Sequence, residues 1–188
     1  SLHFISPDPY QMQGFAPSES TVVARNLSNF AAWYRHLRQD HIKRDRAFLE
    51  DLSEAIPGLE DMDLKEAGMG QRFLTLKFPS QVPNDAPREQ PPLYHFEELS
   101  EGQRVLVGLY AVLHFVVRNG VTVFFDEPDN FVALPEIEPW LDKVLDFIED
   151  EHGDSQVFII SHHPELLNRM ANKGGLRFDR PGGRHTRV

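Results

Sequence analysis

Two apolar runs in this chain stop on residues that can do chemistry. VTVFFDEP ends on the adjacent acids Asp126 and Glu127, and QVFIISHHP ends on Ser161, His162 and His163. Adjacent carboxylates can divide labour, one reaching the shell of a divalent cation while the other polarises a water. With a hydroxyl and an imidazole beside them, hydrolytic or metal-assisted chemistry is expected. Imidazole and carboxylate also suit zinc or manganese, so a metal hydrolase built on Asp126, Glu127, His162 and His163 is one alternative. The plainer alternatives are a strand-end acid that caps a turn and a strand-end histidine that is merely hydrogen-bonded.

A third stretch, LSEGQR from Leu99 to Arg104, opens a helix with a glycine in its first turn. Ser100 and Gln103 have the spacing of a capping box, which stabilises a helix start by about 0.5–2 kcal/mol without any ligand. Gly102 is not explained that way, because glycine costs a helix roughly 1 kcal/mol relative to alanine. A helix N-terminus offers free N–H groups to an anion, and a glycine there lets a phosphate come close.

The surrounding pattern must position these groups. VTVFF and QVFII are continuous β-branched and aromatic runs, and an amphipathic helix over Ile137–Glu149 lies between them. That order predicts a βαβ unit with a parallel sheet, which brings Asp126, Glu127, Ser161 and His162 to one carboxyl edge. Ligands of open α/β sheets bind at that edge. The run from Val105 to Val117 is apolar nearly all round and too short to span a membrane, so a buried helix is expected.

Upstream, LHFISP reads as a short strand and YQMQGFAPSES as turn-rich. Helical spacing begins after Ser28 or Asn29, either of which can cap, and one or two helices run to Pro57-Gly58. The basic run RHLRQDHIKRDR within them reads as a solvated face, or as a contact for nucleic acid or a partner. MDLKEA and RFLTLKF alternate around Gly68 and Gly70, as in a hairpin with one wet face. Three segments are therefore expected: an upstream α+β segment over residues 1–78, a proline-rich connector over 79–92, and a lobe over 93–188.

The 188 residues are 40% hydrophobic and carry a net charge of -10, which fits a globular chain and argues against an all-over nucleic-acid face. The absence of cysteine excludes disulfides and thiolate metal sites. No signal segment or spanning helix is visible, so the cytoplasm is the expected compartment.

Taken together, LSEGQR resembles the signature motif of ABC-type ATPases, VTVFFDEP their Walker B strand, and FIISHHP their switch-histidine strand, in the family's order. The upstream half is similar to the SMC/RecF-like predicted-ATPase branch, and the resemblance covers roughly Thr21–Met170. It implies an α/β fold, part of the P-loop NTPase type, with an added helical and hairpin segment. It further implies ATP and Mg2+ as cofactors, Asp126 as the metal acid, Glu127 as general base, and His162 on the γ-phosphate. Ser100, Gly102 and Gln103 would close on nucleotide held by a second copy in a head-to-tail homodimer. The family's phosphate loop, G-x-x-x-x-G-K-[ST], is absent. The chain thus resembles a C-terminal half, expected to be inactive alone and to need a lobe that carries that loop. DNFVALPEI departs from the family pattern after the catalytic acid, in the stretch Val132–Pro135 where contacts across a dimer would fall. A non-catalytic interaction module on the same fold is the rival from another class.

Overall fold

The computed structural model describes residues 1–79, 93–150, 154–171, 174–176 and 178. The elements in order are β1 (Leu2–Ile5), β2 (Phe15–Ala16), α1 (Phe30–Asp40), α2 (Ile42–Ala55), β3 (Asp61–Gly68), β4 (Gln71–Lys77), β5 (Leu93–His95), α3 (Glu101–Phe115), β6 (Thr122–Asp126), α4 (Leu134–Asp150), β7 (Gln156–Ile160) and α5 (Pro164–Met170). The fold class is α/β with a parallel sheet, as the two apolar runs require.

That sheet has the order β1-β6-β7, and β1 and β7 both pair parallel to β6. β6 and β7 are joined through α4, whose Ile137, Trp140, Leu141 and Val144 are buried. Trp140 packs edge-on against Phe125 of β6, with ring centroids 5.0 Å apart. Side chains alternate along β6, so Val123 and Phe125 enter the core while Phe124 turns to the other face.

The second sheet places β4 between β2 and β3, with β5 also pairing β4, all antiparallel. The wet-faced hairpin expected from MDLKEA and RFLTLKF needs correction along β4, where Leu74, Thr75 and Leu76 are all buried. Thr75 is tolerated there because its hydroxyl donates to the Asp63 carbonyl at 3.2 Å. The turn-rich reading of Tyr10–Ser20 also omitted β2, a two-residue strand whose existence depends on its partner Phe73.

α3 is the centre of the core: every residue from Val105 to Phe115 is buried, and α2 and α4 both pack against it. Among the described residues, the buried apolar side chains from Ile5 to Leu166 form one cluster. The compositional division of 1–78 from 93–188 is therefore crossed by packing, since β1 pairs with β6 and α2 with α3. The connector expected over 79–92 lies, beyond Pro79, outside the described residues.

Asn29 sits at the N-cap of α1 but makes no capping bond. Its carboxamide instead organises the preceding loop, accepting from Ala24 N at 2.8 Å and donating to Ser20 Oγ at 3.0 Å and the Val22 carbonyl at 2.9 Å. The basic run is more than a solvated face. Arg35 and Arg38 donate to the carbonyls of Gly70 and Met62, and Arg38 also pairs with Asp45 and Asp63. These arginines tie α1 to the hairpin.

One polar group lies deep in the helical layer. His114 on α3 is 1% exposed and its Nε2 is 2.8 Å from Asp51 Oδ2 on α2. Lys143 on α4 donates to the other Asp51 oxygen at 2.7 Å. Burial holds His114 below its ordinary pKa of 6.5, helped by Arg118 and Lys143 and opposed by the bond to Asp51. The folded chain therefore keeps this imidazole neutral at a pH where the unfolded chain protonates it, and stability drops as pH falls below 6.5. Denaturant unfolding followed from about pH 7.5 to pH 5 should show that loss, and His114→Gln should flatten it. An unchanged slope in the variant would mean that other groups set the acid limb.

Candidate functional site

β6 and β7 end level, with Asp126 opposite Ile160, and Glu127 N donates to the Ile160 carbonyl at 2.8 Å. The ladder thus continues one residue past β6 and fixes where Glu127 leaves it. The backbone then turns sharply, and Glu127 has φ +48, a conformation uncommon outside glycine. Such a position costs of order 1–3 kcal/mol and persists only where neighbours enforce it.

The neighbours are in view. Glu127 Oε1 lies 3.2 Å from His162 Nδ1, and Oε2 accepts from Asn130 Nδ2 at 2.9 Å. Pro128 and Asn130 complete the turn, with Asn130 N donating to the Glu127 carbonyl at 3.2 Å. Glu127 and His162 are 43% and 75% exposed, so both face solvent and anything that binds there.

Asp126 points elsewhere. Its Oδ2 pairs with Arg25 Nη2 at 3.1 Å, and its side chain is 37% exposed. Ser161 donates to Asp129 Oδ2 at 2.9 Å and accepts from His163 N at 3.0 Å, which fastens the end of β7 to the turn after β6. The strand ends therefore bring together Asp126, Glu127, Ser161 and His162. Arg25, Asp129 and Asn130 join them without having been expected. The DEPDN context placed Asp129 and Asn130 close by in sequence, but nothing local to Arg25 marked it.

The metal-hydrolase alternative needs convergent ligands, and the geometry separates them. His162 faces Glu127, Asp126 faces Arg25, and the His163 Nδ1 is buried without a hydrogen-bond partner. Among the described residues no group of three or more His, Asp or Glu side chains could hold a metal ion by itself. A cation bound mainly by substrate phosphates is a different case, because magnesium commonly takes only one or two protein carboxylates. The half-exposed Asp126 at the carboxyl edge fits that arrangement.

At the signature stretch, Ser100 is the N-cap of α3. Its Oγ accepts from Gln103 N at 3.2 Å, and Gln103 Oε1 accepts from Ser100 N at 3.0 Å. Arg104 reaches back to the Pro9 carbonyl at 2.6 Å. Gly102 has a nearer explanation than an incoming phosphate: a Cβ there would lie 2.9 Å from the Phe131 carbonyl oxygen and 3.8 Å from Val132 Cα. The loop after β6 packs on the first turn of α3 and leaves no room for a methyl group. Val132 is itself buried.

A family model described as "AAA domain, putative AbiEii toxin, Type IV TA system" matches residues 20–168. No curated protein matches the chain. Among solved structures the chain is similar to the Smc head domain with an extended coiled coil, bound to the C-terminal domain of ScpA, from Pyrococcus furiosus. The identity is 16% and the TM-score 0.43, over 76% of this chain and 34% of that one. The chain thus spans about a third of that protein's length. Among the described residues no helix is long and apolar enough to cross a membrane. With the family model covering all but the two ends, the chain belongs to this AAA-domain family.

Proposed function

We propose that this chain is the signature and Walker B half of an ABC-type ATPase, which hydrolyses ATP in a head-to-tail dimer once a phosphate loop is supplied. The observation that carries this reading is the Glu127–His162 pair, held at level ends of adjacent parallel strands one residue past Asp126. Bound Mg2+–ATP supplies the γ-phosphoryl group and the cation that offsets its charge. Asp126 holds the cation. Glu127 orients the attacking water and takes its proton, and Asn130 and His162 keep its carboxylate aimed. His162, exposed beside it, is placed to hydrogen-bond the γ-phosphate.

The signature acts in the opposite site. Ser100 Oγ accepts from Gln103 N, which leaves its O–H free to donate to a phosphate oxygen. Gln103 holds the turn, and the N-terminus of α3 adds positive potential. Gly102 keeps this turn seated on the 131–132 loop, so its contribution to binding is through the position of Ser100. Gly102→Ala is expected to destabilise the fold by about 1–3 kcal/mol by forcing the Phe131 carbonyl away. A neutral or stabilising effect in thermal unfolding would show that the loop yields freely.

Two further outcomes test the reading. Glu127→Gln in the full-length protein should retain ATP binding, slow turnover by about 10²–10⁴-fold and accumulate an ATP-bound dimer. Turnover at the wild-type rate would make this acid structural, and an unchanged assembly state as well would favour the interaction module. Without a phosphate loop, the 188-residue chain should bind ATP weakly and hydrolyse none measurably. A fluorescent-nucleotide titration giving micromolar affinity, about -8 kcal/mol, would indicate a self-sufficient site.

A further inference from the structure

Arg25 lies in a loop that is held far more firmly than a surface connection requires. The Asn29 carboxamide ties together Ser20, Val22 and Ala24, as described above. Ser6 N donates to the Arg25 carbonyl at 2.8 Å and Asp8 N to the Asn26 carbonyl at 3.2 Å, so the loop is laced to the carboxyl end of β1. Leu27 is fully buried with φ +60, and its Cδ1 fills the space where a Cβ on Gly108 of α3 would lie. A leucine in the left-handed region is strained, and the plug into α3 is what holds it.

What this rigidity presents is one guanidinium at the parallel sheet's carboxyl edge. Arg25 is 65% exposed and contacts Asp126 through a single Nη2–Oδ2 pair, which leaves most of its five N–H donors unused. Beside it lies an open surface depression of ≈ 550 Å³ lined by Ser6, Pro7, Asp8, Arg25, Asn26 and Phe131. The Asp8 carboxylate accepts from Tyr10 N and Gln11 Nε2 and makes no ion pair with Arg25.

We infer that Arg25 is a phosphate-binding residue of the nucleotide site, paired with Asp126 until a cation and a polyphosphate arrive together. This rests on the ATPase reading above. An exposed ion pair of this kind is worth little, so it is exchanged at small cost. A cation on Asp126 repels the guanidinium, which then turns to phosphate oxygens with its planar donors. The ligand class is a nucleoside triphosphate, and the contact favours the more highly charged nucleotide over its diphosphate.

The test compares ATP and ADP affinities of the full-length protein by equilibrium titration with Mg2+, in wild type, Arg25→Ala and Arg25→Lys. Arg25→Ala should weaken ATP binding by about ten- to a hundredfold and ADP binding much less, with Arg25→Lys intermediate. Thermal unfolding without nucleotide should stay near wild type, since only a surface pair is lost. If wild type hydrolyses ATP and Glu127→Gln traps it, yet Arg25→Ala keeps the wild-type ATP:ADP ratio, Arg25 is a structural counter-ion and the inference is overturned while the ATPase reading stands. If wild type binds no nucleotide, both fall together.

Discussion

The burial of α3 on all sides is the constraint around which the rest of this chain is arranged. A helix that exposes no flank from Val105 to Phe115 must be enclosed by other elements. α2 and α4 supply two walls, and the loop before α1 supplies another by driving Leu27 against Gly108. Removing a helix this apolar from water contributes roughly 1.5–3 kcal/mol for each large side chain buried. That gain offsets the left-handed backbone at Leu27 and the desolvation of His114, which keeps its bond to Asp51. The proposed chemistry sits at one end of this helix, where Ser100 caps its start and the loop that follows Glu127 rests on Gly102.

The site combines two kinds of precision. Register within the parallel sheet is exacting, since a one-residue slip would exchange the faces of Phe124 and Phe125 and bury the wrong ring. That register places Asp126 opposite Ile160 and sets Glu127 beside His162. The second kind is strain, at Glu127 in the turn after β6 and at Leu27 in the loop that carries Arg25. Each strained residue is over-determined by its surroundings, Glu127 by the Ile160 carbonyl and Asn130, Leu27 by the core beneath it. In the proposed reaction the Glu127 carboxylate is thereby preset, while Arg25 is held where it can exchange Asp126 for phosphate.

The turn after β6 links these regions. Its Asp129 receives Ser161 from the end of β7, and its Phe131 carbonyl rests on Gly102 at the start of α3. One short loop thus touches both halves of the proposed chemistry, the general base and the signature. A displacement of that loop moves Glu127 and α3's first turn together.

Chemistry that follows from local order was legible in the sequence. Apolar runs ending in DEP and SHHP imply two parallel strands, and parallel strands joined by a crossover must end on the same edge, so Asp126, Glu127 and His162 could be gathered without coordinates. The Ser100–Gln103 capping box was legible for the same reason, because both partners lie within one helical turn. Tertiary structure alone decided matters that depend on distant backbone. Gly102 is explained by a carbonyl 29 positions on, at Phe131. Arg25 reaches Asp126 across a separation of 101 residues. Thr75 is buried because strands flank it on both sides. Periodicity and spacing encode which side chains share a face of one element; they carry no information about which distant loop is folded against it, since that is set by the packing of the whole core.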